Sequence, residues 1–278
     1  MNRKLVLFCL ILFVAVIALS ERPKAAIAGA KPVTAKFMVQ GVYEETYQGR
    51  TDKGSAEGKL LIKFEAARWL TMTTNEVGNA EFSDLANAPA PSVSGSASYQ
   101  GRVRSQSGSG NSYDAMSTFS GPLGAEDVTL SVPEYTDTAT GFKIRVFINP
   151  KLKGKCLLTE VRDGASGTAN GCANGTYFFT PSTPLQLDDN EDSSKTDDTA
   201  NLANFGMELD IEPETVSSQE PAGNAGGYAW RGAVTKGSKE KGFEINLTKT
   251  KEIPNEGQPG HSTRRLTFSA TIVPGEAK

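Results

Sequence analysis

The feature that most constrains this chain is a two-residue alternation of apolar and polar side chains. It recurs along the sequence beyond the first 30 residues. No long stretch there carries the i, i+3, i+4, i+7 spacing of an amphipathic helix. Residues 37–47 (FMVQGVYEETY) alternate and predict a strand. Residues 50–58 (RTDKGSAEG) supply turn residues and 59–64 (KLLIKF) run back, so the unit reads as a hairpin. Residues 228–235 and 243–248 read as a second hairpin. Segments 99–103, 113–119, 128–132, 205–211 and 266–273 continue the pattern, and 67–72 is either a strand or a bend. Three more apolar runs, 142–148, 156–161 and 176–179, fall in the centre of the chain. About eleven strands at this spacing predict an all-β fold, an antiparallel β-sandwich with long polar loops. Its extent is 29–278, as one domain or as two packed β subdomains.

Between the strands, 28 glycines and 14 prolines provide the turns. Residues 85–98, 216–227 and 254–262 read as loops, and 105–111 (SQSGSGN) as a flexible turn. The clearest break is 181–203, which contains the acidic run 188–198 (DDNEDSSKTDD). A run of like charge repels itself and stays hydrated, so 186–203 is the place for a subdomain boundary. An outer-membrane barrel is the weaker alternative, because its strands run about 10 residues with an apolar lipid face. The strands expected here are shorter.

The first residues bear on compartment. Arg3 and Lys4 precede an unbroken apolar run, 5–19, which has the length of a signal-peptide core and is short for a bilayer span. Small residues at Ala18 and Ser20, or at Ala26 and Ala28, offer cleavage sites, so 1–28 reads as a signal peptide. An uncleaved anchor is the alternative. Export to the periplasm or the extracellular space makes the cysteines interpretable. Cys156 and Cys172 are the only two beyond the leader, and an oxidising compartment favours a disulfide between them. The loop so closed has about 15 residues, worth roughly 3 kcal/mol in the chain-entropy model.

Motifs for chemistry are few. A net charge of −3 gives no basic face for nucleic acid. The single histidine, His261, lies in a loop-like stretch, and no Gly-x-Ser-x-Gly elbow supplies a nucleophile. One histidine and a paired cysteine set leave too few ligands for an ordinary zinc site. Segments 49–55 and 232–238 each resemble a fragment of a phosphate loop but lack its lysine, and read as turns. Asp188, Asn190 and Asp192 have the spacing that opens a calcium loop, without the glycine and terminal glutamate that complete it. Calcium is therefore an alternative to a plain solvated loop, and no other cofactor is indicated.

Tyr47, Tyr99 and Trp230 suit a sugar-stacking platform, with core or cross-strand packing as the alternative. They also carry a faint repeat: Tyr47-Gln48-Gly49 and Tyr99-Gln100-Gly101 match, and Trp230-Arg231-Gly232 echoes them. Lys53-Gly54-Ser55 is likewise echoed by Lys236-Gly237-Ser238. A true duplication would place the two hairpins equivalently. The functional expectation is a non-enzymatic binding or scaffolding module of the envelope or extracellular space. Carbohydrate or another envelope protein would be its partner. The alternatives are a secreted glycoside hydrolase using an acidic pair and a calcium-stabilised surface protein.

Overall fold

A computed structural model describes residues 31–51, 53–74, 80–106, 110–135, 142–162, 165–170, 185–187, 198–202, 205–212, 229–238, 242–254 and 260–276. Among these residues every regular element is a strand. In chain order they are β1 (Val33–Thr51), β2 (Gly54–Thr74), β3 (Ala80–Asp84), β4 (Ser92–Gln106), β5 (Ser112–Pro122), β6 (Val128–Leu130), β7 (Glu134–Tyr135) and β8 (Phe142–Ile148). They continue with β9 (Lys151–Arg162), β10 (Ala165–Asn170), β11 (Leu185–Leu187), β12 (Asp198–Leu202), β13 (Phe205–Glu212), β14 (Ala229–Ser238), β15 (Gly242–Pro254) and β16 (Gly260–Pro274).

A large antiparallel sheet runs in the order β11-β12-β9-β5-β4-β2-β1-β16-β15-β14. A small sheet, β13-β8-β6 with β7 beside β8, joins it through the parallel pair β13–β14. The small sheet packs on the inner face of the large one, as in a β-sandwich. The Tyr43 ring of β1 meets Phe205 of β13 at 4.8 Å between centres. Arg68 of β2 donates from Nη1 to the Leu130 carbonyl of β6 at 2.6 Å, and its Nη2 pairs with Asp84 of β3. Burial of the Arg68 guanidinium lowers its pKa. Side chains from β1 through β16 form one buried cluster, including Phe37, Ile62, Phe119, Ile144, Phe205 and Phe268.

The alternation explains this packing. On β1 the buried positions are Ala35, Phe37, Val39, Tyr43, Glu45 and Tyr47, all odd-numbered, because successive side chains point to opposite faces. On β2 they are Leu60, Ile62, Phe64, Ala66, Leu70 and Met72. Glycine sits in these strands where a neighbouring ring needs its space. A Cβ on Gly41 would lie 2.5 Å from the ring of Phe64, its cross-strand partner. The hydroxyls of Tyr47 and Tyr99 likewise lie where a Cβ of Gly49 or Gly101 would go. The repeated Tyr-Gln-Gly triplet is thus a shared packing device, an aromatic ring laid over a glycine two residues on.

Several local expectations change. β1 and β2 run 19 and 21 residues, so the argument from strand shortness against a membrane barrel fails. Polarity replaces it: the faces turned away from the core carry Lys36, Gln40, Glu44, Lys59, Lys63 and Glu65, the reverse of a lipid-facing band. The expected loop 85–98 is half strand, since β4 begins at Ser92 and pairs Ser92 with Ala67. His261 is an exposed strand residue opposite Gln48 and Pro254. Segment 232–238 is extended inside β14, whereas 49–55 spans the tip of the β1–β2 hairpin, with Thr51 paired to Gly54. The hairpins are not equivalent either. Gly54-Ser55 opens β2, whereas Gly237-Ser238 closes β14. Both flanks of the acidic run join the large sheet, with β11 on β12 and β12 on β9.

Candidate functional site

Two gatherings of polar groups among the described residues bear on function, one inside and one outside. The inner place is a cross-strand row that reads Lys251, Arg264, Glu45, Leu60, Tyr99, Phe119 from β15 to β5. Glu45 is 1% exposed and Arg264 3%. Arg264 donates from Nε to Glu45 Oε1 at 3.2 Å, and the Tyr43 hydroxyl donates to Oε2 at 2.8 Å. Both carboxylate oxygens are therefore engaged inside the core. Burial raises the Tyr99 pKa, and the negative charge of Glu45 raises it further. Burial also raises that of Tyr47. These phenols stay protonated at neutral pH and pack within the core.

The three aromatics considered for a sugar platform all lie in this interior. Tyr47 is 5% exposed, Tyr99 2% and Trp230 0%, so none presents a face to solvent. Their role is the packing alternative. Trp230 meets the Tyr43 ring edge-on at 6.4 Å and carries Lys251 Nζ 4.7 Å from its ring centre, a cation–π contact. Its indole N–H finds no hydrogen-bond partner among the described residues.

The outer place is a shallow groove on the opposite face of β16, β1, β2 and β4. Register assembles it. One row is Thr271, Met38, Ala67, Ser92, and the next is Ser269, Gln40, Glu65, Ser94. These two rows line a hollow of about 430 Å³. A second hollow of about 400 Å³ shares Gln40, Glu65, Ser94 and Ser269 with it and extends to Val42, Lys63 and Thr267. Small side chains let the sheet surface sink, Met38 and Ala67 give an apolar floor, and hydroxyl and amide groups surround it. At the groove β16, β1 and β2 are paired on both sides, while Ser92–Ser94 of β4 pair with β2 alone, because the β4–β5 ladder begins at Ser96. Sequence reading missed this place. The alternation marks each of its residues as outward, but only cross-strand register brings four strands' outward positions together.

A glycosidase needs two carboxyl groups about 5–10 Å apart. The lining of the two hollows holds one, Glu65. Asp188, Asn190 and Asp192 lie outside the described residues. Among the described residues no group of three or more His, Cys, Asp or Glu is placed to hold a metal ion. Cys156 is buried on β9, and Cys172 lies outside the described residues. Comparison with protein-family models, with curated proteins and with solved structures finds no match to this chain.

Proposed function

We propose that this chain is an exported, non-enzymatic binding module that takes its ligand in the outer groove of β16, β1, β2 and β4. The groove carries the reading. It is a concave surface with polar groups around an apolar floor, the usual character of a ligand site. It also stands on adjacent strands of one continuous sheet, which lowers the ordering cost of binding. A single carboxylate in the lining favours binding over acidic-pair hydrolysis. Export rests on the basic and apolar leader, and the Cys156–Cys172 disulfide goes with it.

Ligand screening by thermal shift tests the reading, because a ligand of the native state raises Tm. The expected result is a rise with one ligand class, lost in Ala67→Trp, which fills the groove. Release of reducing sugar from a polysaccharide, abolished by Glu65→Gln, would establish the hydrolase instead.

A further inference from the structure

We propose that the occupant of this groove is a neutral oligosaccharide or polysaccharide, gripped around Gln40 and Glu65 and stacked at one end on Trp69. This rests on the binding-module reading and names its ligand class. Trp69 is the outward residue of β2 two positions beyond Ala67, which lines the groove, and it pairs across to Lys36 of β1. Its ring is half-buried on that face. At about 3.4 Å per residue it stands roughly 7 Å past the Ala67 row. From Trp69 to Lys63 the face extends about 20 Å, enough for several sugar rings in line.

The lining selects the ligand. Ser92, Ser94, Ser269, Thr271 and Gln40 each both donate and accept hydrogen bonds, and Glu65 accepts. A ligand matching them donates and accepts along its whole length, which is the character of a polyhydroxylated chain. A wholly apolar ligand would leave these groups unpaired at a cost for each. An extended peptide adding as a strand needs free backbone groups; the floor strands β16, β1 and β2 have none here, and the one open stretch, Ser92–Ser94 of β4, lies at the rim, where an added strand would leave the floor uncovered. An acidic polymer needs a cationic field. Here Glu65 sits centrally between Lys63 on one side and Lys36 on the other, and no single sign dominates. Sugar rings also offer C–H faces, which suit the Met38 floor and the Trp69 ring.

Affinity electrophoresis and calorimetry of the full chain against soluble β-glucan, xylan and mannan test this, with polygalacturonate and a mixed peptide library as comparators. The proposal expects at least one neutral polysaccharide to bind. Trp69→Ala should weaken it about tenfold, the loss of one stacking ring, with an unchanged dichroism spectrum. Gln40→Ala, at an exposed position, carries the same test if Trp69→Ala misfolds. Absence of binding to every neutral polysaccharide, or equal binding by wild type and both variants, overturns it. If only polygalacturonate or peptide binds and Ala67→Trp blocks that binding, the neutral-sugar assignment falls and the groove reading stands. If Ala67→Trp leaves every bound ligand unaffected, both fall.

Discussion

The inner side of the β1–β16 pair has two unlike halves. Toward one end Phe37 faces Ile272, Val39 faces Ala270 and Gly41 faces Phe268. Toward the other, Glu45 faces Arg264 and Tyr47 faces Ser262. Both halves are buried, yet one is hydrocarbon and the other holds an ion pair. Alternation therefore decides which face a residue occupies, not how polar that face is. The apolar half gains from area removed from water. The ionic half gains little net energy, because desolvation offsets much of the attraction. What it adds is specificity. A slip of β1 against β16 by two residues keeps the faces but sets Glu45 opposite Leu266 or Ser262, leaving a buried charge unpaired. The pair also ties strands 219 residues apart in sequence.

Substitutions in each half sharpen that contrast. The largest effects come from truncation. Arg264→Ala should destabilise by about 3–5 kcal/mol, because it strands the Glu45 carboxylate. Phe37→Ala should lose a similar amount, about 3–5 kcal/mol, by opening a cavity. The halves separate in rescue. Glu45→Leu with Arg264→Met should recover most of the loss in denaturant melts, since a buried pair is replaceable by apolar groups of like volume. A double variant as unstable as Arg264→Ala alone would show that the pair itself stabilises the fold.

Next is the covalent tie proposed for the polar half, where Cys156 on β9 lies opposite Ser117. Cys156→Ser with Cys172→Ser should cost roughly 3 kcal/mol. Mass measurement of the unreduced protein should show the two hydrogens missing, and two free thiols would defeat the assignment. In the apolar half, Gly41→Ala should destabilise by about 1–3 kcal/mol, because the new methyl enters the space of the Phe64 ring. Pairing it with Phe64→Leu should reduce that penalty.

The smallest effect lies on the small sheet. Glu208 accepts from Lys143 Nζ and Arg145 Nε, each at 2.9 Å, and these bonds, Lys143 first, hold its carboxyl below the usual range. A lowered folded pKa stabilises above the ordinary carboxylate value of about 4.3 and is lost as pH falls through the folded value. The pair is substantially exposed, so Glu208→Gln should cost under about 1 kcal/mol at pH 7 and flatten the acid limb of the Tm profile. A wild-type limb unchanged by the substitution would place the acid sensitivity elsewhere, with Asp114 beside Arg102 the next carboxyl held low.

Much of the fold was legible. The odd-numbered burial of β1 follows from the period of FMVQGVYEETY, and both hairpins lie where turn residues interrupt alternation. Strand lengths were less so. Serine and glycine at 92–98 weaken the apolar signal, and neighbouring strands, not local preference, draw that stretch into β4. The aromatics Tyr47, Tyr99 and Trp230 were visible as a group, but their inward direction depends on which face becomes the core.

By itself, then, the sequence determined that this chain forms strands, and which residues of each strand share a side, because a side chain's direction follows its place in the two-residue repeat. Only the tertiary structure decided which strands are neighbours and at what register. That choice sets Arg264 against Glu45 within the core and Gln40 beside Glu65, Ser94 and Ser269 outside it. Pairings between distant segments depend on the collective packing of both sheets, and no local stretch of chain encodes them.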